Sequence, residues 1–263
     1  MRRLLVVLPL LAVALLWASP ASAIVNGQLD GDLHPQTGAL IAEFRQPGQK
    51  NLLCSGSLIA PTVYLTAAHC TDFLDSLGIT DVWVTFDTRF TRSSKLIHGH
   101  YVTDPAYNAY AGPGGSSDPH DIAVVLLDKP ARGVTPVQLP TAGSLNMTDL
   151  AGQTFTAVGY GTVRVDKTGG PNAFFFDSTR RFALQSFHSL EPAWLNLAEN
   201  PSTGDGGTCF GDSGGPHFLG GTDSNLQVSI TITGDSVCRA TDKTYRLDTP
   251  SARGFLGNFV TLP

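Results

Sequence analysis

Short runs of β-branched, aromatic and leucine residues recur along the chain, and clusters of Gly, Pro, Asn, Asp and Ser separate them. This pattern predicts an all-β protein, built as a sandwich or a barrel. The clearest runs predict strands over residues 38–44, 52–59, 82–86, 122–127, 154–160, 182–187 and 227–233. Helical periodicity is scarce, and the best helix candidate is at the end of the chain, where Pro250 opens a segment that continues through Phe255 and Phe259.

A linker is predicted over residues 131–148, which contain two prolines and two glycines and show no strong strand pattern. The linker separates two halves of similar length, about residues 24–135 and 150–263, between which no sequence repeat is evident. We therefore expect a single domain over residues 24–263, composed of two β-rich halves.

The first 23 residues are typical of an export signal. Arg2 and Arg3 form a positive start, an uncharged apolar run follows, and Ala21–Ala23 is the small-residue pattern after which signal peptidase cleaves. A membrane anchor is the alternative, but a spanning helix needs about 20 apolar residues and this run is shorter. We expect a protein that is secreted, has no membrane contact once the signal is removed, and begins at Ile24.

Charge and cysteine content narrow the possible partners. The chain has 17 basic and 22 acidic residues, a formal net charge of −5 and no basic block, so nucleic acid is not an expected partner. The four cysteines are an even number in an exported chain and predict two disulfide bonds, although their spacing leaves all three pairings open. No feature indicates an oligomer, and a monomer is expected.

The segment GDSGGP at residues 211–216 carries the first chemical signal. Its glycines permit a tight turn and a close approach of substrate to Ser213. The backbone N–H groups of Gly211 and Ser213 can then point into one small volume, as stabilisation of an oxyanion requires. Taken alone, such a segment is often an ordinary glycine-rich turn.

A base and an orienting acid are available in two further segments. LTAAHC at residues 65–70 places His69 at a strand end beside a cysteine, and HDIAVV at residues 120–125 places Asp121 at the start of a buried strand. Each residue alone is more often structural. A hydroxyl, an imidazole and a carboxylate together are the groups that nucleophilic acyl transfer uses.

These segments resemble the motifs TAAHC, DIAL and GDSGGP of the trypsin/chymotrypsin family of serine proteases. IVNG at residues 24–27 resembles the family's mature N-terminus, CSGSLI at 54–59 resembles its CGGSLI segment, and GYG at 159–161 resembles its GWG. The resemblance spans the whole chain after the signal. It implies an all-β fold of two six-stranded antiparallel Greek-key barrels with a short C-terminal helix. It also implies a secreted serine endopeptidase that acts on protein or peptide substrates and needs no cofactor.

The resemblance assigns a role to each catalytic residue. Ser213 attacks the scissile carbonyl, and His69 takes its proton and later gives it to the leaving amine. Asp121 holds His69 in the correct tautomer and stabilises the imidazolium. The backbone N–H groups of Gly211 and Ser213 form the oxyanion hole.

Two further implications of the resemblance concern the covalent frame and activation. The four cysteines would pair as Cys54–Cys70 and Cys209–Cys238. In this family the α-amino group of the mature N-terminus, here Ile24, folds inward and pairs with the aspartate before the nucleophile, here Asp212. No Lys or Arg precedes Ile24, so we expect signal peptidase itself to produce the active N-terminus.

By the same resemblance, the primary specificity pocket is expected at Gly207, Thr208, Thr233 and Gly234. Gly207 stands six residues before Ser213, where a trypsin-like enzyme has an aspartate that pairs with Lys or Arg of the substrate. The absence of that acid predicts an uncharged or apolar residue at P1, the substrate position whose carbonyl is attacked. Gly234 matches the wall glycine that keeps the pocket open to bulky groups.

Two features complicate this picture of the site. Ile232 stands where the family has a serine that supports the triad aspartate, and Thr231 or Thr233 can supply the hydroxyl only after a change of strand register. Asp242 comes near the pocket floor in one alignment and would then favour a basic substrate residue. Asp205 is a weaker candidate, because it lies two residues further from the nucleophile than the expected position.

A metal site is not expected. His98 and His100 are two residues apart and can share one face of a strand, but a metal site needs further ligands that the sequence does not show. Two alternatives to a peptidase stay open. One is a protease-like binding protein that has lost catalysis, for which Ile232 is the best argument. The other is an esterase, because the same acyl-transfer site cleaves esters.

Overall fold

The computed structural model describes residues 27–111, 118–164 and 174–263. The predicted signal peptide and Ile24 lie outside the described residues. The strands are β1 (Gln28–Leu29), β2 (Thr37–Gln46), β3 (Gln49–Ala60), β4 (Val63–Thr66), β5 (Asp81–Thr85), β6 (Ile97–Thr103), β7 (Ala123–Leu127), β8 (Thr154–Gly159), β9 (Val163–Arg164), β10 (Phe174–Phe175), β11 (Arg181–Leu190), β12 (Trp194–Ala198), β13 (Pro216–Leu219), β14 (Gln227–Gly234) and β15 (Thr241–Arg246). The helices are α1 (Ala68–Ser76), α2 (Ser144–Met147) and α3 (Pro250–Leu256).

Two antiparallel β-barrels make up the fold. The first closes in the order β2-β3-β4-β7-β6-β5. The second closes as β8-β11-β12-β15-β14-β13, because β11 and β13 both pair with β8. Strand β1 precedes the first barrel in the chain but pairs with β11 of the second. The expectation of two six-stranded barrels with a short C-terminal helix is confirmed.

Each run that predicts a strand falls on an observed strand, but helix α1 is not predicted by the pattern. This helix starts at Ala68, directly after β4, and its buried residues Cys70 and Leu74 pack into the apolar cluster of the first barrel. His69 therefore lies in the first turn of a helix rather than at a strand end. None of the helices in the described part of the chain is long and apolar enough to cross a membrane.

A continuous cluster of buried apolar side chains joins the two barrels. It includes Leu65 and Val124 from the first barrel, Phe218 from the second, and Phe255 from α3. Burying side chains of this size contributes roughly 1.5–3 kcal/mol each. The cluster fixes one barrel against the other, and strands β4 and β7 run from it directly to the segments that carry His69 and the candidate aspartate.

A buried arginine also links the two halves. Arg180, directly before β11, donates from Nε to Oδ2 of Asp30 over 2.7 Å, and it donates to the hydroxyl of Tyr160 over 3.2 Å. The guanidinium also donates to the backbone carbonyls of Gly31, Thr37 and Phe86. Removing one partner of a buried ion pair typically costs about 3–5 kcal/mol. This pair therefore stabilises the position of the barrels that the site requires.

Candidate active site

His69 and Asp121 are held together by two hydrogen bonds. His69 lies in the first turn of α1, and Asp121 lies two residues before β7. Oδ1 of Asp121 accepts from the backbone N–H of His69 over 2.9 Å, and Oδ2 lies 2.9 Å from ring atom Nδ1. A proton on Nδ1 donates to this carboxylate, so Nε2 is left as the proton acceptor. The disulfide Cys54–Cys70 joins β3 to α1 at the residue that follows His69.

Ser213 lies on a sharp turn that is flanked by two glycines. Gly211 and Gly214 have φ angles of 98° and 79°, a backbone conformation that other residues rarely adopt. A Cβ at Gly214 would lie 2.4 Å from Oγ1 of Thr66, so the turn packs against the segment that leads into α1. The carbonyl of Ser213 accepts from the backbone N–H of Ser55 over 2.9 Å, which attaches the turn to the first barrel.

Within the described residues, the Ser213 hydroxyl makes no hydrogen bond to His69, whose ring contacts Asp121. Hydrogen bonds between catalytic groups are often long in a free enzyme and shorten when substrate binds. The serine turn packs on β4, and the helix that carries His69 begins immediately after β4. The structure therefore brings a hydroxyl, an imidazole and a carboxylate to the same end of β4, as acyl transfer requires.

Asp212 is completely buried beside the serine turn. Its two carboxylate oxygens accept from the backbone N–H groups of Gly161 over 2.7 Å and of Cys209 over 2.9 Å. A Cβ at Gly161 would lie 2.4 Å from a carboxylate oxygen, so this contact requires the last glycine of the GYG segment. Burial raises the pKa of Asp212 to about 7, against the lowering effect of the two N–H groups. Its expected partner, Ile24, lies outside the described residues.

A cavity of about 120 Å³ opens beside Ser213. A cavity of about 150 Å³ can hold a benzene ring, so this one has room for one side chain of moderate size. Thr208, Thr233 and Gly234, which the resemblance assigns to the primary pocket, line the cavity, whereas Gly207 does not reach its surface. The disulfide between Cys209 and Cys238 forms part of the same wall.

Glu199 occupies the space that a side chain at Gly207 would need. A Cβ at Gly207 would lie 2.2 Å from Cγ and 2.3 Å from Oε1 of Glu199. Glu199 follows β12 and is fully buried, and its Oε1 accepts from the backbone N–H of Thr208 over 2.7 Å and from the Thr208 hydroxyl over 3.2 Å. Burial, and then the negative charge of Asp242, hold the pKa of Glu199 well above its ordinary range, so this group is protonated at neutral pH. Sequence reasoning missed Glu199, because no motif marks an acid at the end of a short strand.

Asp242 lies next to the wall of the same cavity. It pairs with Gly234 across β14 and β15, but, like Gly207, it is not among the residues that line the cavity. Its Oδ2 accepts from Nε2 of Gln185 over 3.0 Å and lies 2.8 Å from Nε2 of His217, and all three side chains are buried. Asp205, the weaker candidate for an acid at the pocket, does not line the cavity.

Ile232 occupies the position where the family's supporting serine is expected. Together with Trp194 and Asp121 it lines a small hollow, and it packs against apolar clusters of both barrels. The register of β14 against β15 shifts between Thr231 and Thr233. Neither threonine donates to Asp121 in the part of the chain that the structure describes, so the aspartate has no hydroxyl donor from this strand.

Two closed barrels, with a histidine–aspartate pair on one and a glycine-flanked serine turn on the other, define a chymotrypsin-like protein. The Trypsin family model matches residues 40–253, and the chain belongs to this family, as its motifs predict. At the level of the family it is a serine peptidase.

Several named proteins are similar to this chain over most of its length. Chymotrypsin of Phaedon cochleariae is 26% identical over 237 residues, which cover 86% of this chain and 78% of that protein. Kallikrein-8 of Mus musculus is 27% identical over 199 residues, 74% of this chain and 71% of that protein. Glucanase inhibitor protein 1 of Phytophthora infestans is 26% identical over 217 residues, 79% of this chain and 78% of that protein. These names include both a chymotrypsin and an inhibitor, so similarity alone does not decide whether this chain is a catalyst.

Proposed function

We propose that the chain is a secreted serine endopeptidase that acts as a monomer, through a domain of residues 24–263, on protein or peptide substrates. The observation that carries the proposal is the double hydrogen bond between His69 and Asp121 beside the glycine-flanked turn of Ser213. A histidine held by a buried carboxylate next to such a serine is the arrangement that activates a hydroxyl. The signal-like first residues and the two disulfides support export to an oxidising compartment.

The reaction proceeds in two acyl-transfer steps. Ser213 Oγ attacks the carbonyl carbon while Nε2 of His69 takes its proton, and the N–H groups of Gly211 and Ser213 hold the oxyanion. The tetrahedral intermediate collapses as His69 protonates the leaving amine, and an acyl-enzyme remains on Ser213. A water molecule that His69 deprotonates then attacks the ester and releases the acid. Asp121 stabilises the imidazolium in both steps.

The proposed activation step provides a cation for Asp212. Signal cleavage after Ala23 gives Ile24 a new α-amino group, and an ion pair with this ammonium offsets the burial of the Asp212 carboxylate. Because that carboxylate holds the N–H of Cys209, the pair keeps the oxyanion turn in shape. N-terminal sequencing of the secreted chain tests this step, and a first residue other than Ile24 contradicts it.

The chemistry around the cavity supports an uncharged or apolar P1 residue. Glu199 is held neutral, and Oδ2 of Asp242 is engaged by Gln185 and His217. Asp235 lines the cavity, but its two carboxylate oxygens already accept from the backbone N–H groups of residues 237, 239, 240 and 241. A lysine or arginine there would lose its hydration and find no unengaged carboxylate on the cavity wall, which is unfavourable. Glu199→Gln tests the point, because it keeps the shape of the neutral side chain. A peptide-library profile should be the same for both chains, whereas a preference for Lys or Arg that E199Q abolishes contradicts the proposal.

A binding protein without catalysis is the second candidate function. It is favoured by Ile232, which leaves Asp121 without a hydroxyl donor from β14, and by the similarity to a relative named as a glucanase inhibitor. Against it, His69 and Asp121 keep both of their hydrogen bonds. Loss of catalysis would remove any need for this geometry.

Covalent labelling with a fluorophosphonate separates the two candidates, because this reagent reacts with an activated serine hydroxyl. We expect the secreted chain to be labelled and Ser213→Ala to be unlabelled. Ser236→Ala, a matched change at another serine of the same cavity, should be labelled like the parent chain. Turnover of peptides and of esters by the labelled preparation then distinguishes an endopeptidase from an esterase. A folded parent chain that neither labels nor cleaves any peptide would contradict catalysis and favour the binding role.

A further inference from the structure

Two histidines and an aspartate lie together on the surface of the first barrel, outside the residues that line the candidate active site. His98 and His100 both belong to β6, and residues two apart on a strand point to the same face. Asp81 begins β5 and is the direct partner of His100 across the two strands. One possible ligand atom from each of the three residues lies within 4.8 Å of the other two.

A second aspartate fixes the orientation of His98. Asp128 directly follows β7, and its Oδ2 lies 2.6 Å from Nδ1 of His98. A carboxylate that accepts from Nδ1–H leaves Nε2 as the ligand atom, and Nε2 lies 3.0 Å from Oδ1 of Asp81. Histidines that bind metals usually donate their other ring N–H to such a carboxylate, which sets the ring orientation and strengthens the ligand.

We propose that Asp81, His98 and His100 bind a divalent transition-metal ion of the zinc type, with water completing the coordination and Asp128 positioning His98. Two imidazole nitrogens and one carboxylate oxygen suit zinc and its neighbours, whereas calcium and magnesium prefer oxygen ligands alone. Zinc–ligand distances of about 2.0–2.2 Å place tetrahedral ligands roughly 3.4 Å apart. Nε2 of His98 and Oδ1 of Asp81, now 3.0 Å apart, would separate slightly, and the His100 nitrogen, which lies within 4.8 Å of both, would move to the same spacing. Asp81 and His100 are exposed and can make this adjustment, and the ion has an open path to them.

The metal would connect three strands of one barrel. Its ligands come from the beginning of β5 and from the middle of β6, and the positioning carboxylate of Asp128 comes from the end of β7. An ion that binds this folded arrangement and not the unfolded chain stabilises the fold by mass action. The other group of possible ligands in the described residues, His69 with Cys54 and Cys70, does not compete, because both sulfurs are in a disulfide. The proposal is independent of whether the chain is a catalyst.

Metal titration of the secreted chain tests the site. The chain carries Ser213→Ala to prevent self-cleavage, is stripped with a chelator, and is titrated with zinc by calorimetry and with cobalt by visible absorption. We expect one ion per chain, a cobalt spectrum of low coordination number, and a higher thermal midpoint with metal. His100→Ala and Asp81→Asn should each weaken zinc binding at least tenfold. His188→Ala, which removes an exposed histidine on β11, should leave binding unchanged.

Other outcomes of the titration would overturn the proposal. Zinc binding that survives both H100A and D81N, or that is lost in His69→Ala instead, would place the ion elsewhere. Absence of one-to-one binding at millimolar zinc would mean that the two carboxylates simply hold a protonated His98. The thermal midpoint of each metal-free variant shows that a loss of binding is not a loss of fold. Asp128→Asn tests the positioning role: it should change the cobalt spectrum and weaken binding while one ion per chain is retained.

Discussion

A chain that keeps extra residues in front of Ile24 should lose stability as the pH rises, and Asp212 is the cause. Its carboxylate is buried, and within the described residues its two hydrogen bonds come from the backbone N–H groups of Gly161 and Cys209. The perturbation is Asp212→Asn in such an extended chain, whose Ile24 has no free α-amino group. D212N removes the titrating group and keeps its size.

The size of the effect follows from the pKa of Asp212, which burial raises from 3.8 to about 7. Because the folded value lies above the unfolded one, the folded chain binds more protons than the unfolded chain between about pH 4 and pH 7. Stability is therefore fully present below about pH 4 and falls as the pH rises through 7. A difference of about three pKa units corresponds to a loss on the order of 4 kcal/mol by pH 8.

The assay is urea unfolding of the extended chain and of its D212N variant at a series of pH values, in a Ser213→Ala background. Only the difference in pH slope is interpreted, because D212N also changes the hydrogen bonds from Gly161 and Cys209 by a constant amount. The chain that begins at Ile24 should recover much of the lost stability, because its ammonium offsets the carboxylate, and with Ser213 intact it should be the form that a fluorophosphonate labels. Equal slopes for the extended chain and its D212N variant would refute the reasoning.

Three further substitutions test the pocket, the triad and the junction of the barrels. Gly207→Ala should destabilise the chain by roughly 1–3 kcal/mol and lower kcat/KM at least tenfold, because the new Cβ would overlap Glu199. Unfolding midpoints and peptide kinetics equal to those of the parent chain would contradict this prediction. Ile232→Ser should raise kcat severalfold, because the serine gives Asp121 a hydroxyl donor. Ile232→Ala opens the same space without a hydroxyl and should not raise kcat. Equal kcat values for the two variants would count against the explanation. Arg180→Met should cost roughly 3–5 kcal/mol in urea unfolding because it removes the guanidinium from the buried Asp30 carboxylate, which keeps its contacts with His34. A cost below about 1 kcal/mol would show that the pair is not needed.

The predicted strands are those whose apolar residues dominate, such as β7 and β8, and two of the missed strands, β6 and β15, carry polar residues at alternate positions. In β6 the outward positions are His98 and His100, and in β15 the buried positions include Asp242 and Thr244. In a sequence pattern, polar residues predict a surface position or a loop. It has no access to the partners that make a buried aspartate stable, because those partners come from other strands.

The same distinction applies to the sites. Ser213, His69 and Asp121 each lie in a short segment that matches a family motif, so the resemblance is enough to propose them as catalytic residues. Glu199 and Asp81 gain their importance only from residues that the fold brings to them, Gly207 in one case and the histidines of β6 in the other. The fold of the whole chain decides both contacts, and no local sequence pattern encodes them.

The three acids buried around the cavity explain why the pocket is built without a trypsin-like aspartate. The cost of burying each carboxyl group is offset in a different way. Glu199 carries a proton, and Asp242 contacts Gln185 and His217. Asp212 accepts from backbone N–H groups and, in the proposed active form, pairs with the ammonium of Ile24. Burial is the main reason that the pKa values of Glu199 and Asp212 are raised, and the charge of Asp242 raises both further. A fourth acid, at the position before Thr208, would overlap the Glu199 side chain and be repelled by Asp242. Volume and charge therefore both favour glycine at that position.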